Sequence, residues 1–251
     1  MAHRFASAIL MATSLMAATA SYGAELKVLA AGPIERPFDA LHKGFTKETG
    51  HTARGVFDTV GILQKRIMAG ESPDIIILSP GAMNELEKAG LLLSGTRVEV
   101  GRAASGLGVR AGAPVPDIST PDALKKTLLT ARTVAYVDPA TGANNGIFFA
   151  GLIKKLGIAD EVNKKAVLVV RGHMVATALA EGKAEIGNTS LTELAPHKGV
   201  RVVGPIPDPL GTVTVYVAAV SSKSANADAA RALIAYFMRP ASREQFKADG
   251  L

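Results

Sequence analysis

A chain of 251 residues, 48% hydrophobic and 20% charged, suits one or two ordinary globular domains with a sizeable core. It has no Cys, no Trp and only 5% aromatic residues, which excludes disulfides, thiolate metal sites and cysteine-linked lipid anchors and argues against stacking platforms for nucleic-acid bases. The net charge of +6 contains no run of more than two Lys or Arg, so it reads as a solvated basic surface compatible with small anionic ligands rather than a nucleic-acid footprint.

The first segment, "MAHRFASAILMATSLMAATASYGAE", has a cationic start at Arg4, an apolar stretch from Phe5 to Ala17 and then small residues. That is the layout of a secretory signal peptide, assigned to 1–24. Cleavage is expected after Ala20 or nearer Ala24. The apolar stretch is too short and too rich in Ala and Ser for a good membrane span. A soluble protein outside the cytoplasm is expected, in the periplasm if the source is Gram-negative. Loss of Arg4 leaves 27 basic and 22 acidic residues, a charge of +5.

Beyond the leader, short apolar runs alternate with amphipathic stretches. The runs are 26–30, 75–78, 106–110, 133–137, 167–170, 200–203 and 213–220. The amphipathic stretches are 34–49, 61–69, 82–89, 122–129, 147–156, 175–180 and 226–238. This alternation predicts an α/β protein with a mainly parallel sheet. Gly50, Gly70, Gly90, Gly157 and Gly182 each close an amphipathic stretch, as helix ends require. Two Gly/Ala/Pro-rich segments, 101–117 and 203–212, read as hinge crossings. They divide the chain into one lobe of 25–103 plus 205–251 and a second of 104–204, with a cleft between them.

Ligands of α/β sheets bind at the carboxyl ends of strands. The candidate turns there are 30–34, 57–61, 78–81, 138–146, 170–174 and 187–192. Each joins an apolar run to a helix start, where free N–H groups and the helix dipole favour anions. The candidate ligand residues are Gly32, Pro33, Ile34, Thr59, Gly61, Ser79, Thr141, Asn144, Asn145, Arg171, His173 and Ser190. Plain capping is the simpler reading of any single turn, with Thr59, Ser79 and Asn145 as good N-caps. Asp138 reads as a loop brace. Arg171 can grip a carboxylate with two bonds, although Arg102 in the first hinge is as placeable. The histidines have no metal-ligand spacing, and neither a metal nor a cofactor is implied. Glu35 and Asp58 are the carboxylates in the turns of the first lobe. A solvent-facing cap is the simpler reading of both; a general base is the sharper one, with His173 as a third candidate.

Several stretches taken in order resemble the periplasmic molybdate-binding proteins and the wider extracellular solute-binding group. They are "LKVLAAGPIERPFDALHKGFTKETGHTARGVFDTVGILQKRIMAGESPDIIILS", "DPATGANNGIFFAGLIKKLGI", "GKAEIGNTSLTEL" and a closing "MRPASREQFKADGL". The resemblance covers essentially the whole chain after the leader. It implies the two-lobe periplasmic-binding-protein fold, a monomer, and delivery of a captured solute to an ABC importer. The departures are specific. Where the molybdate binders carry A-A-S at the end of the first strand, this chain has Gly32-Pro33. Their serine-rich second turn is here Asp58-Thr59-Val60-Gly61, and their late Tyr ligand aligns near Ser190. The Asp-Pro loop gains Asn144 and Asn145. With three hydroxyl donors missing or altered, an organic polycarboxylate is expected in place of molybdate. One subgroup with this look contains an exported enzyme, aconitate isomerase, whose allylic proton shift needs a base and carboxylate donors but no cofactor. In that reading Asp58, His173 or Glu35 is the base.

Overall fold

The structure, a computed structural model, describes residues 23–251. The leader lies outside the described residues except for its last two positions. The first lobe opens with β1 (Glu25–Ala31), one 3-10 turn (Gly32–Ile34) and α1 (Glu35–Thr49). Then come β2 (Thr52–Asp58), α2 (Val60–Met68), β3 (Ile75–Leu78) and α3 (Pro80–Lys88). A 13-residue strand, β4 (Val98–Arg110), leads into the second lobe. That lobe holds α4 (Pro121–Thr130), β5 (Val134–Val137), α5 (Asn144–Lys155), α6 (Ala159–Asn163), β6 (Ala166–Val169) and α7 (Gly172–Ala180). It continues through β7 (Ile186–Ser190), α8 (Leu191–Leu194) and β8 (Val200–Pro205). The chain returns through β9 (Val213–Val220) and finishes with α9 (Ala227–Phe237) and α10 (Pro240–Ala248).

The strands run in the order β2-β1-β3-β9-β4-β7-β5-β6, with β8 added on β4. The outer three strands of each lobe are parallel, and β4 and β9 join them antiparallel. β4 is what couples the lobes. Its residues 98–104 pair with β9, and its residues 105–110 pair with β7 and β8.

The elements follow from their residues. β3 is four consecutive Ile and Leu side chains, all fully buried, as a strand covered by helices on both faces must be. α1 turns Pro37, Phe38 and Phe45 to the core and ends at Gly50, whose φ of 74° is the left-handed cap that glycine adopts most readily. The first lobe has one core, centred on β1, β3, β9 and the rings of Phe38, Phe45, Phe237 and Phe246. The second lobe has two, one on each face of its sheet.

Two strands lie where the apolar-run pattern gives none. β2 (TARGVFD) is an edge strand paired with β1, with Thr52 and Arg54 exposed and Asp58 buried at its end. β7 (IGNTS) is fully buried although three of its five residues are polar. Those side chains bond within the protein: the Asn188 amide donates to Gly106 O at 2.9 Å and to Ser105 Oγ at 3.1 Å. Buried polar groups satisfied in this way give a strand with no hydrophobic signature.

Candidate functional site

The carboxyl ends of β1, β2, β5, β6 and β7 and the middle of β9 enclose a cleft of about 170 Å³, with walls from both lobes. The first lobe contributes Gly32, Pro33, Glu35, Asp58 and Thr59; the second contributes Asn144, Asn145, Arg171, His173 and Glu193; Tyr216 on β9 closes the back.

Arg171 is the N-cap residue of α7 and directs its guanidinium across the cleft. Its Nη2 donates to Asp58 Oδ2 at 2.8 Å and its Nε to Oδ1 at 3.2 Å. Asp58 is buried and Arg171 is about half exposed, so the cation end stays accessible while both carboxylate oxygens are occupied. This two-point fork is the geometry in which arginine grips carboxylates. Thr59 caps α2, accepting from the Ile62 N–H at 3.3 Å. Its hydroxyl also donates to Thr141 O at 2.8 Å in the opposite lobe. The Gly61 N–H donates to Gly142 O at 3.1 Å alongside. α2, α5 and α7 therefore direct their N-termini at one space; α2 spends its Gly61 and Ile62 N–H groups on protein partners, and the N-termini of α5 and α7 favour anions there.

Glu193 is the group that sequence reasoning missed. It sits in the single turn of α8, partly buried, and lines the cleft. Thr189 Oγ1 donates to its Oε2 at 2.7 Å, and the Ser190 N–H donates to the same carboxyl. Enclosure by protein pushes its pKa up to about 7; these two hydrogen bonds oppose the rise, and the charge of Glu35 adds to it. The carboxyl is seated between two glycines. A Cβ on Gly172 would fall 1.9 Å from Oε2, and one on Gly32 would fall 3.1 Å from Oε1. Tyr216, 3% exposed, has its phenol pKa raised by burial and then by Glu193, so it is a neutral donor throughout the physiological range.

A profile of the bacterial extracellular solute-binding proteins matches residues 26–251. The chain belongs to that family. This solute-binding protein is 31% identical over 231 residues to an aconitate isomerase of a Pseudomonas species, covering 90% of this chain and 87% of that protein. It is 27% identical over 243 residues to the molybdate-binding protein of Azotobacter vinelandii, covering 93% and 92%. Its fold superposes on a solved periplasmic molybdate-binding protein of Azotobacter vinelandii with a TM-score of 0.71 at 20% identity, covering 90% and 97%.

Within the solute-binding scaffold, the expected ligand residues separate into groups. Gly32, Pro33, Thr59, Asn144, Asn145, Arg171 and His173 line the cleft, as do Glu35 and Asp58. Ile34 does not: its side chain is fully buried in the first-lobe core. Ser190 is also fully buried, its hydroxyl 2.7 Å from that of Thr192. Gly61 and Thr141 make the cross-cleft contacts and are not among the lining residues. Ser79 borders a neighbouring open depression with Asn144, Ile147 and Val213. Asp138 caps its own loop, accepting from the Ala140 N–H at 2.9 Å. Arg102 pairs with Glu99 on the surface. Among the described residues, no group of three or more His, Cys, Asp or Glu is placed to hold a metal ion.

The sequence around Glu193 carries one local signal. Ser190-Leu191-Thr192-Glu193 is the S-x-x-E pattern of a capping box, and the Ser190 N–H bond completes half of one. The local pattern accounts for the residue, so nothing in it points to a cleft. Tyr216, within the apolar run of β9, reads as core.

Proposed function

We propose that this protein captures a small organic polycarboxylate, not molybdate, in the interlobe cleft. The observation that carries the reading is Arg171: its guanidinium already holds a carboxylate, that of Asp58, by two bonds inside the cleft. A ligand carboxylate has the same shape and charge. The N-termini of α5 and α7, with Asn144 and Asn145, supply donors for further carboxylates. A hydroxyl at position 32, as in the molybdate binders, would crowd Glu193, because the space next to Gly32 holds Oε1. The Gly32-Pro33 departure and the Glu193 carboxyl thus belong together. Delivery to an ABC importer and residence in the periplasm as a monomer complete this reading.

Calorimetry with trans-aconitate, citrate, tricarballylate and molybdate tests it. A tricarboxylate is expected to bind and molybdate to bind weakly or not at all. Arg171→Ala is expected to weaken tricarboxylate binding by about 2 kcal/mol, roughly thirtyfold, from loss of the charged hydrogen bond that its accessible end offers the ligand. Molybdate affinity equal to that of every tricarboxylate would sink the reading.

A second reading, an isomerase of the aconitate type on the same scaffold, is favoured by one feature. A protonatable carboxyl with a pKa of about 7 opposes an anion and is out of place in a simple anion trap. Incubation with trans-aconitate, following cis-aconitate, separates the two readings. Turnover is expected from the isomerase alone, whereas binding is common to both.

A further inference from the structure

We infer that Glu193 is the residue that carries the proton in an allylic isomerisation of the bound polycarboxylate, with the Tyr216 phenol as the hydrogen-bond donor to the carboxylate on which charge develops. This rests on the isomerase reading of the same polycarboxylate cleft, the second reading above.

The geometry singles out Glu193 among the carboxylates of the cleft. Asp58 has both oxygens held by Arg171. Glu35 is exposed at the first turn of α1. Glu193 alone is seated in the wall, with Oε2 anchored by Thr189 and Oε1 facing Gly32. Gly172 and Gly32 leave the space that its carboxyl fills. A base held in one orientation beside the substrate is what proton abstraction from carbon requires. A pKa near neutrality lets the group both take and return a proton.

The step balances without any co-reactant. The C–H bond at the substrate's methylene carbon breaks, and the proton goes to Glu193. The electron pair spreads through the adjacent double bond onto its terminal carboxylate, where neutral Tyr216 donates a hydrogen bond. The double bond then re-forms one carbon along. The former vinylic carbon takes the proton back from Glu193, closing a new C–H bond. One carboxyl acts first as base and then as acid on one face of the substrate, so hydrogen removed from the methylene returns to the product.

The experiment uses the full mature chain with trans-aconitate, binding by calorimetry and hydrogen exchange by proton NMR in D2O. Glu193→Gln keeps the size of the side chain and an acceptor for Thr189. At pH 6, where wild-type Glu193 is largely protonated, it is expected to bind trans-aconitate within threefold of wild type while conversion and exchange fall about a thousandfold. Tyr216→Phe is expected to lose about a hundredfold in rate with little change in affinity. In the wild type, rate should rise with pH through about 7, and methylene-deuterated substrate in H2O should pass part of its label to the product. Wild-type rates in Glu193→Gln, or binding by wild type without any conversion to cis-aconitate, overturn the assignment. Absence of binding by wild type overturns the polycarboxylate reading itself, an outcome that calorimetry identifies separately.

Discussion

At the residue scale, the energetics of Glu193 run opposite to those of most carboxylates. Its pKa is raised in the folded protein from an ordinary 4.5 to about 7. Between those values the native state holds a proton that the unfolded chain has released, so stability declines as pH rises through that window. Glu193→Gln removes the penalty. It is expected to leave stability unchanged near pH 4 and to add on the order of 2 kcal/mol at pH 8, read from urea melts at the two pH values. The same sign governs ligand binding. An anion placed beside Glu193 favours its protonated form, so polycarboxylate affinity should strengthen as pH falls from 8 to 6, and Glu193→Gln should flatten that dependence. Gly172 is the companion position. Gly172→Ala puts a methyl into the seat of the Glu193 carboxyl, 1.9 Å from Oε2. The displaced atoms are the end of a side chain, so the fold is expected to survive, as checked by its melting temperature, while isomerase turnover falls at least tenfold with the misplaced base.

At the scale of elements, the first lobe is tied together by a carboxylate of the opposite kind. Glu71 follows α2 and accepts from Arg66 Nε at 2.6 Å and Nη2 at 2.9 Å, with Lys27 Nζ of β1 at 2.7 Å. The Arg66 hydrogen bonds, then the bond to Lys27, hold its pKa down to about 2. Its contribution is therefore complete above pH 4.5 and is lost as pH falls towards 2. Glu71→Gln should cost about 1 kcal/mol at pH 7, since the pairs are partly solvated, and the cost should vanish at pH 2. The legibility of elements follows their burial chemistry. β3 and β9 are apolar and stand out in the sequence. β7 does not, because the groups that bury it are Asn188, Thr189 and Ser190, each satisfied by a partner far along the chain or on the next turn. No periodicity encodes such partners. Segment 187–192 was legible as a ligand turn, yet its residue that lines the cleft is Thr189 rather than Ser190, and the carboxyl of Glu193 just beyond it joins the same wall. Ser190 ends the strand with its hydroxyl against Thr192 inside the protein, whereas Glu193 lies in the turn of α8 that follows, where Thr189 holds it at the cleft.

At the scale of the whole molecule, hydrogen bonds that join the lobes across the cleft run from Arg171 to Asp58, from Thr59 to Thr141 and from Gly61 to Gly142. The last is backbone against backbone. A Cβ on Gly61 would lie 2.6 Å from Gly142 Cα, and Gly142 itself has a φ of 72°. Neither position accepts a side chain while the lobes are this close. Gly61→Val should therefore hold the cleft open. With a saturating tricarboxylate, small-angle scattering should record a radius of gyration that no longer contracts, and affinity should fall at least tenfold. Contraction equal to wild type would show that the glycine contact does not limit closure. Val60 and Ala143, beside this contact, belong to the cores of the two lobes, so the melting temperature of the variant without ligand is measured alongside.

The sequence by itself determined the α/β class, the turn chemistry at the strand ends and the presence of Arg171, Asn144 and Asn145 among the candidate ligand residues. These are local properties: apolar runs of a given period, glycines that end helices, and small polar residues at helix starts. Tertiary structure decided which groups share one space. It withdrew Ile34 and Ser190 into the interior, set both oxygens of Asp58 against Arg171 across 113 positions of sequence, and brought Glu193 between Gly32 and Gly172. The physical reason is that the acidity of a carboxyl and the shape of a cleft depend on what surrounds them in space. For Glu193 those surroundings come from β1, β7, β9 and α7, segments that local sequence rules treat as independent.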